Sequence, residues 1–144
     1  MARCVAAGEG GAVDLTVGGA FGSRGPVALR GNVLRLRPDD PVGGDIAVVG
    51  TAGVRAILTT RRKPYHRIAD FTELGLDPAA HDLTVVKIGY LVPELFDAAR
   101  GWVIALTPGG VDQHLVRLPY RALERPIYPL DPEMPDPDLA PQIL

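Results

Sequence analysis

The sequence has few of the residues on which nucleophilic and thiolate chemistry depends. Its 144 residues include one cysteine, Cys4, one serine, Ser23, and three histidines. A single cysteine excludes an intrachain disulfide and a cysteine-based metal cluster, and it is typical of proteins in a reducing cytosol. Ser23 lies among glycines and lacks the G-x-S-x-G setting of an activated serine. We therefore predict a cytoplasmic protein without a serine or cysteine nucleophile.

The sequence also lacks a basic excess and a long apolar run. Its formal net charge is −2, with a sequence pI near 5.9. Nucleic-acid binding domains usually carry clustered positive charge, and a membrane-spanning helix needs about 18 or more consecutive apolar residues. The composition therefore predicts neither a nucleic-acid partner nor a membrane partner.

The first half of the chain has the alternating pattern of β-strands. Ala2–Ala7 resembles the last turn of a helix that begins upstream, ended by Gly8. Strands are predicted by period-two alternation or by apolar β-branched runs at residues 13–17, 27–37, 46–49 and 54–60. The alternation changes phase within 27–37, which predicts a β-bulge at Gly31-Asn32. These segments indicate an antiparallel meander.

The second half predicts a different arrangement. Residues 83–88 and 102–107 are apolar runs typical of strands buried on both faces, and a helix begins at Pro93 and is ended by Gly101. This order predicts a βαβ unit. The fold class is therefore α/β, with α+β as the alternative: a mixed sheet with an N-terminal antiparallel meander, a βαβ unit and few short helices.

The end of the chain differs in composition from the rest. We predict one domain over residues 1–131. Residues 132–144 are rich in proline and acidic side chains, and we predict a mobile tail there.

Six short motifs occur along the chain in a fixed order. They are Val13–Gly19, Thr59–Arg62, Leu74–Pro78, Val85–Lys87, Thr107–Gly109 and Leu118–Asp131. In this order they resemble the C-terminal domain of the MlrC-like (microcystinase C-like) metallopeptidases. The resemblance covers nearly the whole chain, and the last motif matches almost throughout.

The resemblance implies a zinc-dependent hydrolase whose larger N-terminal domain holds the metal through His and Asp ligands. We expect this chain to be the non-catalytic C-terminal domain, truncated at its start, which shapes substrate access to that metal site. Its expected partner is the N-terminal metal-binding domain, in cis or in trans, and a homo-oligomer is a further candidate. The alternative is a stand-alone small-molecule or anion-binding module that has lost catalysis.

The three histidines do not have the spacing of a metal site. A catalytic zinc needs about three protein ligands, whereas His66, His81 and His114 are far apart and lack the i, i+4 spacing of a helical pair. We therefore expect no catalytic residue, no metal ligand and no cofactor in this chain, with zinc implied for the full-length family. A small hydrolase with a His66/His114 metal site is the third hypothesis.

Cationic side chains cluster just after the last predicted strand of the meander. Loops at strand ends often bind ligands, and a lysine that ends a buried strand must pair or face a pocket. We predict that Arg61, His66 and Lys87 line an anion-binding pocket, for example for a substrate carboxylate. The alternative is that the arginines are solvated and that Lys87 pairs with Asp97 or Glu94.

Two further segments carry structural expectations. Asp39-Asp40 precedes Pro41 in a predicted turn, where we expect both carboxylates to be solvated. In the closing segment, residues 118–131, we expect the apolar side chains to pack along the core. These side chains are Tyr120, Ile127, Tyr128 and Leu130. We also expect the segment to dock the domain onto its catalytic partner, which requires an exposed apolar surface.

Overall fold

The computed structural model describes residues 1–19, 25–90, 92–106 and 112–136. The described residues form two compact units. The first unit contains 1–19, 25–90 and 92–103, and the second contains 104–106 and 112–136. Most of the predicted tail at 132–144 lies outside the described residues, so the domain boundary after Asp131 stays a prediction.

Strands dominate the first unit. The elements of the described residues are α1 (Ala2–Ala7), β1 (Ala12–Val17), β2 (Val27–Asp40), β3 (Gly44–Thr51), β4 (Val54–Thr59), α2 (Ile68–Thr72) and α3 (Pro93–Ala98), with single 3₁₀ turns at Pro78–Ala80 and Leu115–Arg117. None of the helices in these ranges is long and apolar enough to cross a membrane.

The four strands form one antiparallel sheet in the order β1-β2-β3-β4. The predicted meander is confirmed, as is a mixed α/β fold with few short helices. β3 is buried on both faces, because each face packs against its own apolar cluster. One cluster consists of Cys4, Val13, Leu15, Leu29, Val33, Ala47 and Val49. The other consists of Ile46, Val48 and Leu74.

The change of phase in β2 occurs later than predicted. Gly31 pairs in register with β1, and Asn32 pairs in register with both β1 and β3. The register with β3 shifts between Val33 and Arg35. Leu34 is therefore the extra residue of the bulge. Gly31 does not mark the bulge. Glycine is required there for a steric reason, because a Cβ on Gly31 would lie 2.1 Å from the carbonyl oxygen of Gly50.

This close approach makes Gly31→Ala a test of the sheet. The added methyl group meets backbone, so β2 and β3 must move apart, and we expect the free energy of unfolding to fall by about 1–3 kcal/mol. Urea denaturation followed by circular dichroism measures the change. Gly101→Ala is the matched control, since a Cβ there meets no atom within 4 Å. Equal stability of the two variants would contradict the described strand spacing.

In the predicted βαβ unit, the helix is confirmed but the two strands are wrong. α3 begins at Pro93 as expected, but residues 83–88 and 102–106 are not part of any strand in the described chain, and Thr107 lies outside it. Leu83, Val85 and Val103 are exposed by 79%, 78% and 90%. An apolar pattern indicates which side chains are suited to burial, but it does not show whether another strand is present to pair with the segment.

Candidate functional site

The loop after β4, residues 60–67, is attached to the turn between β2 and β3. The backbone N–H of Arg61 donates to the Gly43 carbonyl oxygen at 2.9 Å. Its guanidinium Nη2 donates to the Asp40 carbonyl oxygen at 3.1 Å. The Thr60 hydroxyl Oγ1 also donates to the Gly43 carbonyl oxygen, at 3.2 Å. These bonds fix the start of the loop relative to the sheet.

A buried ion pair fixes the middle of this loop. The carboxylate of Asp40 is 2% exposed and accepts hydrogen bonds from the backbone N–H groups of Val42 and Gly43, at 3.0 and 2.7 Å. Its second oxygen, Oδ2, accepts from Lys63 Nζ at 2.8 Å. The same ammonium lies 3.7 Å from Asp70 Oδ1. Asp40 is therefore a buried, fully hydrogen-bonded carboxylate, and the prediction that it is solvated is wrong.

Burial and charge shift two pKa values in this cluster. The hydrogen bond from Lys63 and the N–H of Gly43 lower the pKa of Asp40 to about 2. Burial, with the nearby carboxylates of Asp40 and Asp70, raises the pKa of Tyr65 to about 12. The Tyr65 hydroxyl is buried without a hydrogen-bond partner in the described residues. The phenol therefore stays neutral at physiological pH.

The lowered pKa of Asp40 gives a pH prediction. Because the folded pKa lies below the unfolded value near 3.8, this carboxylate stabilises the fold above about pH 4 and stops doing so as pH falls through about 2. The contribution is about 2 kcal/mol. Urea denaturation between pH 5 and pH 2 should show this loss in the wild type, and a smaller one in Asp40→Asn. In Asp39→Asn, which changes the neighbouring exposed carboxylate, the loss should be retained; identical profiles for all three would refute the assignment.

The structure gives each predicted site residue a defined environment. The Arg61 guanidinium binds backbone carbonyl oxygens of the β2–β3 turn. The His66 ring lies 6.1 Å from the Tyr90 ring, centroid to centroid, and its backbone N–H donates to Asp70 Oδ2 at 3.1 Å. Lys87 is exposed, in a segment outside any helix or strand. No hydrogen bond joins the three side chains within the described ranges, and their grouping into one pocket stays a prediction.

The alternative interpretation of these cations holds only in part. Arg61, Arg62 and Arg67 are exposed, as that interpretation expects. Lys87, however, forms no ion pair with Glu94 or Asp97 in the described part of the chain. Glu94 Oε1 instead accepts a hydrogen bond from the backbone N–H of Ile68, at 2.9 Å.

The described residues do not fit a zinc ion. His81 Nδ1 donates to the Asp77 carbonyl oxygen at 2.8 Å, so this ring nitrogen is already occupied. In the second unit, His114 begins a 3₁₀ turn. Within the described ranges, no three His, Cys, Asp or Glu side chains are arranged to hold a metal.

The second unit is held by ion pairs and leaves its apolar side chains exposed. Arg117 Nε donates to Asp112 Oδ2 at 2.6 Å, and Arg125 Nε donates to Asp131 Oδ2 at 2.9 Å. The exposed apolar side chains are Leu115, Val116, Tyr120, Leu123, Ile127 and Tyr128, with Tyr128 exposed by 74%. The prediction that Tyr120, Ile127 and Tyr128 pack along a core is wrong, and Leu130 is half-buried.

Two open grooves run along this unit. One, of about 410 Å³, is lined by Ile127, Tyr128, Pro132, Met134, Pro135 and Asp136. The other, of about 350 Å³, is lined by Val116, Leu118, Pro119, Tyr120, Arg121, Leu123, Arg125 and Leu130. The first groove is mainly apolar, whereas the second, which includes Arg121 and Arg125 in its lining, exposes more polar than apolar surface.

Comparison with known proteins places this fold in a family. The family model described as "MlrC C-terminus" matches residues 1–122. No curated protein matches the chain. The match extends over most of the chain, from α1 into the closing segment, and its range includes the first five motifs and the beginning of the sixth. The chain belongs to the MlrC C-terminus family.

Proposed function

We propose that this chain is the non-catalytic C-terminal domain of an MlrC-like zinc-dependent hydrolase or peptidase of the cytoplasm. In the complete enzyme it shapes substrate access to a metal site on the N-terminal domain. The observation that carries the proposal is the exposed apolar surface of the second unit, from Leu115 to Tyr128.

This surface has the properties of a docking surface. Soluble monomers seldom expose large contiguous apolar areas, whereas protein interfaces are rich in tyrosine and other aromatic residues. Here Tyr120 and Tyr128 are exposed beside grooves lined by prolines. Proline fixes the backbone angle φ, and the Arg125–Asp131 ion pair ties the segment together. Such preorganisation lowers the entropy lost on binding.

The first unit supplies the substrate-facing part of the proposal. The loop 60–67 carries four cations and is held to the sheet through the buried Asp40–Lys63 pair. Arg62 and Arg67 extend from it as exposed charges. A positively charged loop of fixed position raises the local concentration of anionic substrates. We assign this loop, with Arg61, His66 and Lys87, to the guidance of a substrate carboxylate.

The second candidate function is a stand-alone anion-binding or small-molecule module that has lost catalysis. One observation favours it: the first unit has its own two-sided core around β3 and holds the cationic loop without help from another chain. In this version the apolar surface of the second unit binds a second copy of the chain or remains free.

Binding to the N-terminal domain of an MlrC-like hydrolase tests the proposal. Titration calorimetry with the separately purified N-terminal domain should give a stable complex with the full chain. Tyr128→Ser should weaken it by about tenfold or more, because aromatic anchors dominate interface energies. Tyr90→Ser, which removes an exposed tyrosine of the first unit, is the matched control and should change affinity by less than about twofold.

Three results would contradict the proposal. One is the absence of any complex, and another is equal weakening by both tyrosine variants. The third is a wild-type homodimer that Tyr128→Ser dissociates, because the apolar surface would then serve a homo-oligomer. If no complex forms and the chain binds a monocarboxylate such as acetate less tightly after Arg61→Ala, the stand-alone module replaces the proposal.

A further inference from the structure

The strand β4 leaves one edge of the sheet open, because it pairs only with β3. The Thr60 N–H donates to the Asp45 carbonyl oxygen at 3.1 Å. Since the bonds of an antiparallel ladder alternate, the backbone groups of Arg55, Ile57 and Thr59 point away from β3. These groups have no backbone partner within the described residues. Such an edge is a template for another strand.

Both faces of β4 are apolar and only half covered. Ala56 and Leu58 lie against the apolar cluster on one face of the sheet, whereas Ile57 lies against the cluster on the other, and all three are half-buried. An added strand would therefore have apolar neighbours on both of its faces. The opposite edge strand, β1, alternates buried apolar side chains with exposed Asp14 and Thr16. The β4 edge thus selects a segment that is apolar on both faces.

Residues 83–88 of the first unit have these matching properties. The N–H groups of residues 83–87 have no acceptor in the described part of the chain. Leu83 and Val85 are exposed by 79% and 78%. Residues 84–86 and 88 are β-branched, which favours the pleated conformation. The segment is therefore suited to strand pairing and lacks a neighbouring strand.

The flanks of this segment are bonded within their own unit. The Thr84 hydroxyl donates to the Pro78 carbonyl oxygen at 3.2 Å, and Glu94 Oε1 accepts a hydrogen bond from the Ile68 N–H at 2.9 Å. No hydrogen bond joins residues 83–88 to β4 of the same chain in the described ranges. A second copy can present its β4 edge to the segment while these flanking bonds stay in place.

From these features we infer that two copies of this chain form a two-fold dimer, in which residues 83–88 of each copy add as a strand to β4 of the other. Backbone hydrogen bonds supply the affinity of such strand addition, and side chains at alternate positions supply its specificity. The exchange is reciprocal, so both open edges and both segments are used. This interface goes beyond the proposed function: it lies in the first unit and leaves the apolar surface of the second unit to the N-terminal domain.

Charge selects the direction of the added strand. The antiparallel register that sets residues 83, 85 and 87 opposite residues 59, 57 and 55 places Lys87 directly opposite Arg55. Like charges in that position are destabilising. In the parallel register with Thr84 beside Arg55, Asp82 lies diagonally from Arg55 on the same face. Arg55 and Asp82 are both exposed and form no ion pair in the described part of the chain, so the parallel register supplies each with a partner.

Charge reversal tests this pairing directly by analytical ultracentrifugation of the full chain. Arg55→Asp and Asp82→Arg each create two like-charge contacts per dimer, and each should raise the dissociation constant of the dimer about tenfold. The double variant restores opposite charges and should return to within about threefold of the wild type. Arg100→Asp, which reverses an exposed arginine outside the interface, is the matched control and should change the constant less than about twofold.

The Val85→Pro variant tests the backbone bonds. In the parallel register the Val85 N–H donates to the Arg55 carbonyl oxygen of the other copy, and proline removes this donor. The N–H is unbonded in the single chain, so the urea midpoint of the dilute protein should not change. The dimer should weaken by about tenfold or more. Val85→Thr keeps the N–H and the β-branch, and should cost less than about threefold.

Hydrogen exchange supplies the last measurement. The amides of residues 55, 57, 85 and 87 should exchange about a hundredfold more slowly in the dimer than in the dilute chain. Tyr128→Ser should leave the dimer intact. A chain that stays monomeric at its highest attainable concentration, yet binds the N-terminal domain through Tyr128, would overturn the inference and leave the proposed function standing. Protection of these amides in a monomer would mean that the segment covers its own β4, and it would also overturn the inference, as would a double variant that does not recover.

Discussion

Lys63→Met is expected to lower the free energy of unfolding by about 3 kcal/mol, at the low end of the range for breaking a buried ion pair. Methionine keeps the apolar stem of lysine but removes the charge, and this leaves the buried Asp40 carboxylate with only the more distant Arg37 Nε, 3.6 Å from Oδ2, as its cation. The cost stays at the low end because Val42 and Gly43 still donate hydrogen bonds to that carboxylate. Urea denaturation at pH 7 measures it.

Arg62→Met is the matched control for this variant. Arg62 is the preceding residue, is exposed and forms no ion pair in the described part of the chain, so its replacement should change stability by no more than about 0.5 kcal/mol. Adding Asp40→Asn to Lys63→Met should recover part of the loss, since the buried charge that has lost its nearest cation is then gone. A cost for Lys63→Met equal to that of Arg62→Met would mean that the pair is not buried in solution.

Phe71→Ala is expected to cost about 3–4 kcal/mol, as for other large-to-small changes in a core. Phe71 is buried in α2, and its ring packs against Tyr65 with 5.3 Å between centroids. The truncation leaves a cavity beneath the loop 60–67, so α2 and this loop should lose protection together. Hydrogen exchange of the amides of 60–72, beside urea denaturation, follows both effects.

Phe96→Ala is the control that tests whether the stability lost in Phe71→Ala comes from removing a buried core side chain. Phe96 is 51% exposed and lies 6.5 Å from the Trp102 ring. Its truncation should cost about 1 kcal/mol or less, since a half-exposed ring leaves no sealed cavity. Equal losses from the two phenylalanine variants would contradict the described packing of α2.

The sheet could be predicted from the sequence because its signals are local. Val13 and Leu15 alternate with polar residues, and short turns at residues 41–43 and 52–53 join β2 to β3 and β3 to β4. Residues 83–88 show where such reasoning ends. Their apolar pattern predicted a strand buried on both faces, and this was wrong: a strand also requires a neighbour, and periodicity does not show whether one is present.

From the sequence, the loop that carries the candidate site could be predicted, but the contacts within the site could not. A run of cations after a strand indicated residues 61–67, and the structure attaches that loop to the β2–β3 turn. The Asp40–Lys63 pair joins residues 23 positions apart. It depends on the register of two hairpins, and Asp40 gives the same signal in the sequence as the exposed Asp39. The guanidinium of Arg61 binds backbone carbonyl oxygens, which no residue pattern specifies.

The zinc content of the purified chain tests the central claim most directly. After dialysis against trace zinc, elemental analysis should find less than about 0.1 zinc per chain, because the described residues offer no set of about three ligands. The complex with the N-terminal domain should retain about one zinc per pair. Near-stoichiometric zinc in the chain alone, lost on His66→Ala or His114→Ala, would contradict the account and place the metal site within this chain.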